Sequence, residues 1–257
     1  EKRGKESWRL TVSAGIDSEG NQIRIRKTIK AKSKREAEKE LAKMVTEIEK
    51  GQFVEPTKLT FADFVERWIE DYAKRNLAPK TLHRYMQILQ SRILPALGHV
   101  KVEQIKPVHL LEFYSNLTEE GIRLDGKAGK LSDTTIQYHH RVLSSIFQSA
   151  VQWQVIHNNP CSRVKPPKIK KKQSACYNEQ QTADLLRALE NEPLKYRVIV
   201  ILAISTGLRR GELMGLEWSD INFKNNTLEV KRTSQYVPGI GVITKEPKTE
   251  TSKRVVS

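Results

Sequence analysis

The stretch Thr206-Gly-Leu-Arg-Arg-Gly-Glu-Leu-Met-Gly-Leu-Glu-Trp-Ser-Asp-Ile221 decides how the C-terminal third of this chain is built. Upstream of it, Leu194 to Thr206 contains the longest apolar cluster of the chain, Val198 to Ile204. Its composition predicts a buried helix that Gly207 terminates. Arg209 then falls between a glycine break and the start of a short helix over 210–216. There a guanidinium can present its planar fork to two non-bridging phosphate oxygens. An ordinary alternative stands beside that reading, because Arg209 or Arg210 can equally pair with Glu212 or Asp220, as arginines near helix starts commonly do. Downstream the pattern changes to strands: Thr227 to Arg232, a hairpin around Pro238-Gly-Ile-Gly241, and strand-like pieces near Val242 and Arg254 to Val256. This predicts an α/β region, incomplete at Ser257 because few strands and two helices make a thin core.

Working back toward the N-terminus, Cys161 to Ala175 (CSRVKPPKIKKKQSA) holds six of the chain's basic residues and no acid, with Pro166-Pro167 in its middle. It reads as an extended basic linker, either a solvated tether or a strip that lies along a polyanion. Residues 60–150 carry four helical patterns. Thr60 with Asp63 makes a capping box before Phe61, Phe64, Val65, Trp68 and Tyr72; Pro79 opens a second helix, Pro107 a third, and Ser132 or Asp133 a fourth. The aromatics lie on the apolar stripes, so they are read as core. The polar faces near two helix starts suit phosphate: Lys80, Thr81 and Arg84 on the second helix, and Thr134, Gln137 and Arg141 on the fourth. At the N-terminus, residues 8–16 and 22–30 alternate at period two around Asp17-Ser-Glu-Gly-Asn21, which predicts a hairpin. Ile23 and Ile25 share one face of its second strand and Arg24, Arg26 and Thr28 the other. A helix capped by Ser33, with Ala37, Leu41, Met44, Val45 and Ile48 inward, covers the sheet before Gly51 ends it. A cationic ribbon of this width fits a DNA major groove, although a charged outer face is also how small sheets stay soluble.

The whole chain agrees with a polyanionic partner. Its 257 residues carry 45 Lys and Arg against 30 Asp and Glu, for a formal charge of +15 and a pI of about 9.7. No apolar run reaches the roughly 18–20 residues that a membrane-spanning helix needs, and the basic N-terminus lacks an apolar signal region. A soluble, cytoplasmic protein with no membrane partner is expected. Cys161 and Cys176 are far apart and without companion His or Cys, so no metal and no cofactor are expected. The chain begins at Glu1 rather than Met, which suggests that part of the natural polypeptide is missing.

The 206–221 segment resembles the first arginine motif of the tyrosine recombinases, the phage-integrase family. In that motif Thr-Gly-Leu ends a helix, the phosphate-binding arginine follows, and Gly-Glu-Leu starts the next helix. The resemblance makes Arg209 the catalytic arginine. Glu246-Pro-Lys-Thr-Glu-Thr-Ser-Lys-Arg-Val-Val256 is similar to the family's lysine hairpin, which implies that Lys248 is a general acid at the leaving 5′ oxygen; taken alone it would read as an exposed turn lysine. Residues 1–56 resemble the arm-type DNA-binding domain of integrases from conjugative transposons and related phages, which uses a three-stranded sheet. Residues 57–160 resemble the helical core-binding domain, and 176–257 the first part of the catalytic domain. The resemblance thus implies a multidomain fold, mainly α with α+β parts, whose linker (161–175) lies on DNA through Lys165, Lys168, Lys170, Lys171 and Lys172. It implies double-stranded DNA with arm-type and core-type sites as partner, and self-association into a tetramer.

One departure qualifies the match. The family requires a His-x-x-Arg motif and a tyrosine nucleophile after the lysine. Every histidine here, at 83, 99, 109, 139, 140 and 157, precedes Arg209, and Tyr236, the only tyrosine after Arg209, precedes Lys248. The expectation is therefore an integrase whose residues 1–257 bind DNA without cutting it, with a non-catalytic DNA-binding regulator as the alternative. A basic RNA-binding protein is disfavoured by the placement of the aromatics in core stripes.

Overall fold

The computed structural model describes residues 1–16, 19–49, 58–169, 175–247 and 252–257. They form two compact units, residues 1–77 with 84–169, and residues 78–83 with 170–257.

The first unit opens with the hairpin of β1 (Ser7–Ile16) and β2 (Gln22–Lys30), paired antiparallel with Leu10 opposite Lys27 and Val12 opposite Ile25. Period-two alternation turns Leu10, Ile25 and Ile29 toward α1 (Lys34–Glu49) and leaves Arg24, Arg26, Thr28 and Lys30 exposed on the opposite face. Ser33 Oγ accepts from the Glu36 amide (3.2 Å) and Glu36 reaches back to the Lys32 amide (2.9 Å), fixing the start of α1. Ala37 and Met44 are the buried residues of its apolar stripe. Instead of a third strand, a single bridge joins Lys2 to Trp8 among the described residues. The turn residues Asp17 and Ser18, and Gly51, lie outside the described residues.

The helical part follows the four expected segments. α2 (Phe61–Trp68) starts at the Thr60/Asp63 capping box and runs on through a π-helical turn (Ile69–Ala73) into Lys74–Asn76. α3 (Pro79–Ile88) does the same through Leu89–Ile93 into Leu94–Leu97, where Pro95 has no N–H to return to the preceding turn. α4 is Pro107–Asn116 and α5 is Asp133–Gln152, capped by Ser132. Phe61, Phe64, Trp68, Leu89, Ile93, Leu110, Ile136, Leu143, Ile146 and Phe147 are wholly buried. The Trp68 indole N–H, which cannot be buried unpaired without penalty, donates to Ser149 Oγ at 2.9 Å. Pro160–Arg163 forms a short 3₁₀ turn with Cys161 and Val164 buried, so the packed part of the first unit reaches past the composition break at Cys161.

In the second unit, α6 (Glu179–Leu189) is capped by Asn178 and Gln181. α7 (Leu194–Thr206) ends at Gly207, whose φ of +62° is the left-handed turn glycine permits. The burial expected of α7 is not found: Leu194, Val198, Ile201 and Ile204 are each more than two-fifths exposed. Apolarity makes a helix ready to be buried, but burial needs partners, and α7 packs chiefly on α6 and on the one-turn helix α8 (Arg210–Leu213). β3 (Ile221–Asn222), β4 (Thr227–Val230) and β7 (Arg254–Val256) make an antiparallel sheet in the order β3-β4-β7. β5 (Thr233–Val237) and β6 (Gly241–Lys245) form a separate hairpin. Leu208, Leu228 and Val230 are the buried core here, flanked by Leu202, Leu213, Leu216, Ile221 and Val256.

Candidate functional site

Arg209 is the N-cap of α8. Gly207 turns the chain out of α7, buried Leu208 anchors the turn, and Arg209 follows with extended backbone and a side chain 74% exposed. Its setting is defined by Glu212, which is only 2% exposed. The Arg209 amide donates to Glu212 Oε2 (3.0 Å) and Arg209 Nη1 to Oε1 (2.9 Å). From β7, Arg254 Nη2 donates to Oε2 (2.9 Å). One buried carboxylate thus holds two guanidiniums from segments more than forty residues apart. Burial works to raise the Glu212 carboxyl, but the hydrogen bonds from Arg254 and from the Arg209 amide and side chain outweigh it and hold the group at about 2. The carboxylate is charged at any physiological pH and the cluster carries a net positive charge. Arg209 uses one guanidinium nitrogen on Glu212, and no other hydrogen bond from that guanidinium occurs among the described residues.

The two arginine-pairing alternatives therefore separate. Arg209 does pair with Glu212, yet the pairing orients an exposed side chain rather than consuming it. Asp220 belongs to a different residue: it accepts from Arg232 Nη1 (3.1 Å) and Nη2 (3.2 Å) and from the Glu217 amide (2.9 Å), with Lys231 Nζ 3.7 Å away. Arg254, in the Ser252-Lys253-Arg254 run of the lysine-hairpin segment, has no role legible in the sequence; only folding brings it to Glu212. Lys248 lies outside the described residues, as do Lys170, Lys171 and Lys172.

The described DNA-contact candidates fall on four segments. Arg24, Arg26 and Thr28 share the exposed face of β2, with Arg9, Thr11 and Ser13 opposite them on β1. On α3, Lys80 and Thr81 occupy the first turn, exposed and half-buried, and exposed Arg84 follows one turn later. On α5, Thr134 and Arg141 are exposed and Gln137 half-buried, and Arg141 Nη2 donates to Gln137 Oε1 at 3.2 Å. Lys165 and Lys168 are exposed on backbone without regular secondary structure. None of the described helices is long and apolar enough to cross a membrane.

Known proteins resemble this chain in sequence and in fold. Residues 60–118 match the phage integrase N-terminal SAM-like domain, and residues 176–254 match the phage integrase family. The chain is 29% identical to a tyrosine recombinase XerC-like protein of Caldanaerobacter subterraneus, an alignment covering 99% of this chain and 66% of the relative. It is 24% identical to the ICEBs1 integrase of Bacillus subtilis, over 97% of this chain and 65% of the relative. Both relatives are thus longer than the sequence compared. In fold, it resembles the Tn1549 transposon integrase solved with a circular intermediate DNA, at a TM-score of 0.62 and 23% identity over 77% of this chain and 61% of that one. It also resembles the lambda integrase dimer bound to a core site, at a TM-score of 0.54 and 22% identity over 73% of this chain and 60% of that one. With two family segments in the expected order and relatives aligned along nearly its whole length, the chain belongs to the phage integrase family of tyrosine recombinases.

Proposed function

We propose that this protein is the DNA-binding and phosphate-activating portion of a site-specific recombinase that integrates and excises a mobile element. The observation that carries the proposal is the Glu212 clamp: a buried carboxylate that aims an exposed arginine from a glycine-broken helix end, as a scissile-phosphate site requires. In the reaction a tyrosine attacks a DNA phosphate, forming a 3′-phosphotyrosyl bond and releasing a 5′ hydroxyl. A partner strand's 5′ hydroxyl then reverses the step, so bond energy is conserved without metal or cofactor. Arg209 holds the phosphate and Lys248 protonates the leaving oxygen. Residues 1–56 serve as the arm-type DNA-binding domain and 57–160 as the core-binding domain. The linker 161–175 tracks the backbone, and 176–257 begins the catalytic domain. Four protomers act together on paired sites, in the bacterial cytoplasm where the DNA lies.

Residues 1–257 hold no His-x-x-Arg and no tyrosine after Lys248, so a polypeptide confined to them binds DNA and leaves it uncut. The alternative reading is a DNA-binding regulator without catalysis. The test is Arg209→Ala in a form extended through a downstream tyrosine. Loss of the covalent protein–DNA adduct with retained mobility-shift binding supports the assignment; an adduct at unchanged rate removes Arg209 from the site. No adduct from any extended form, with binding intact, leaves the regulator.

A further inference from the structure

A cleft of about 470 Å³ lies in the helical part of the first unit, between α3, the start of α5 and the 123–131 segment. Three guanidiniums line it, from Arg84, Arg92 and Arg123, against one carboxylate, Asp125, which is already taken by Arg123 (Nε to Oδ1 2.9 Å). Arg92 is turned to the Ile122 carbonyl and Arg84 to Gln87 Oε1. The cleft therefore carries a net charge of about +2 and includes Ser132, the cap of a twenty-residue helix whose N-terminal end carries a partial positive charge. These features alone would describe any basic surface near a helix start.

His139 sets this cleft apart. It lines the same wall, is only 3% exposed, and its Nδ1 is 2.8 Å from the Thr135 carbonyl of its own helix. A carbonyl only accepts, so Nδ1 carries the proton and Nε2 is left with a lone pair. That Nε2 is buried and has no hydrogen-bond partner among the described residues. Burial, and the neighbouring charges of Arg92 and Arg84, hold the imidazole below its ordinary pKa and so keep the lone pair free; the ring's contact from α4, Phe113, is uncharged. The cleft thus combines cationic donors that want an anion with one buried acceptor that wants a proton donor.

A phosphodiester has no proton to give, and neither does sulfate at neutral pH. Hydrogen phosphate has both the charge and the P–OH group at neutral pH, and a phosphomonoester has both in its monoanion, the form that Nε2 would select because the second proton is lost at about pH 6. We propose that this cleft binds a proton-bearing phosphate group, the arginines taking its anionic oxygens and His139 Nε2 accepting from its P–OH. Two sources share that chemistry, free phosphate and the terminal monophosphate of a nucleotide or DNA strand. Of the backbone-contact candidates named above on α3 and α5, Arg84 is shared with the cleft, whereas Lys80, Thr81, Thr134, Gln137 and Arg141 do not line it.

The test titrates the 257-residue protein with inorganic phosphate and with sulfate by calorimetry at neutral pH, while NMR follows the His139 ring nitrogens. Phosphate should bind about tenfold more tightly than sulfate, the effect of one buried hydrogen bond, and should shift the Nε2 resonance. Arg92→Gln should weaken both anions, and His139→Phe should abolish the preference while sparing sulfate. If the Phe variant fails to fold, the Nε2 shift and the Arg92→Gln variant still decide. A short duplex with a 5′-phosphate, compared with its 5′-hydroxyl twin, assigns the source: discrimination between them points to a strand end, and equal binding with retained phosphate affinity points to the free ion. Equal affinities for phosphate and sulfate, or no binding of phosphate, overturn the proposal and leave His139 as a buried residue with a structural role only.

Discussion

Replacing Glu212 by glutamine removes the charge that holds Arg209 and Arg254 together while keeping the side chain's size. The carboxyl is held at about 2 against an ordinary value of 4.5. That difference corresponds to roughly 3 kcal/mol of stabilisation by the charged form, at about 1.4 kcal/mol per pKa unit. Because the folded-state value is depressed, the stabilisation is complete above about pH 4.5 and is lost as the pH falls toward 2. Native-state hydrogen exchange of the β4 and β7 amides reports opening of the unit that contains the clamp, and should be compared between Glu212→Gln and the unaltered protein across that range. The expected result is a gap of about 3 kcal/mol at pH 6–7 that closes progressively below pH 4.5. A gap that does not change with pH would show that the carboxylate's charge is not what joins the two arginines, and no gap at all would refute the clamp.

Other consequences are as direct. Ser149→Ala leaves the buried Trp68 N–H unpaired and should cost about 1–3 kcal/mol in urea unfolding followed by tryptophan fluorescence; an unchanged midpoint would mean the bond contributes nothing. Gly215→Ala brings a Cβ to 2.9 Å from the Arg232 carbonyl oxygen, a backbone atom that cannot swing aside. It should lower protection of β5 amides by an amount worth about 1–3 kcal/mol, and normal protection would contradict the close approach. Exchanging Lys170, Lys171 and Lys172 for glutamine should flatten the dependence of log affinity on log salt by about 2–3 units if all three meet phosphates. An unaltered slope would take the linker off the DNA. Arg24→Ala with Arg26→Ala should weaken one class of DNA site selectively, whereas equal weakening at all sites would deny the ribbon a site of its own.

What the sequence made legible was whatever depends on neighbours along the chain. Period-two alternation fixed the faces of β1 and β2, and the Thr60/Asp63, Ser33/Glu36 and Asn178/Gln181 pairs marked helix starts that the structure keeps. Gly207 ended α7 because only a left-handed turn fits there. What stayed hidden depends on contacts between distant segments. The π turns at Ile69–Ala73 and Leu89–Ile93 leave the apolar pattern readable and alter only the backbone bonding. The exposure of α7 reflects which elements pack on it, which its own apolarity does not encode. The Glu212 to Arg254 bond and the orphaned nitrogen of His139 join or isolate groups that have no periodic relation. Arg209 is named by resemblance alone, and from the sequence Glu212 is only one of its possible partners; that the carboxylate is buried and shared with Arg254 depends on the fold.

The central claim is that Arg209 activates a DNA phosphate for attack by a downstream tyrosine. The most direct measurement uses duplex sites selected from a random pool by the 257-residue protein, each then nicked near its centre, and a form of the protein extended through that tyrosine. The account predicts a covalent protein–DNA adduct that resists denaturation, is lost with Arg209→Ala, and is absent for residues 1–257 although they bind the same sites. Adduct formation that survives Arg209→Ala, or an adduct formed by residues 1–257 alone, would contradict it.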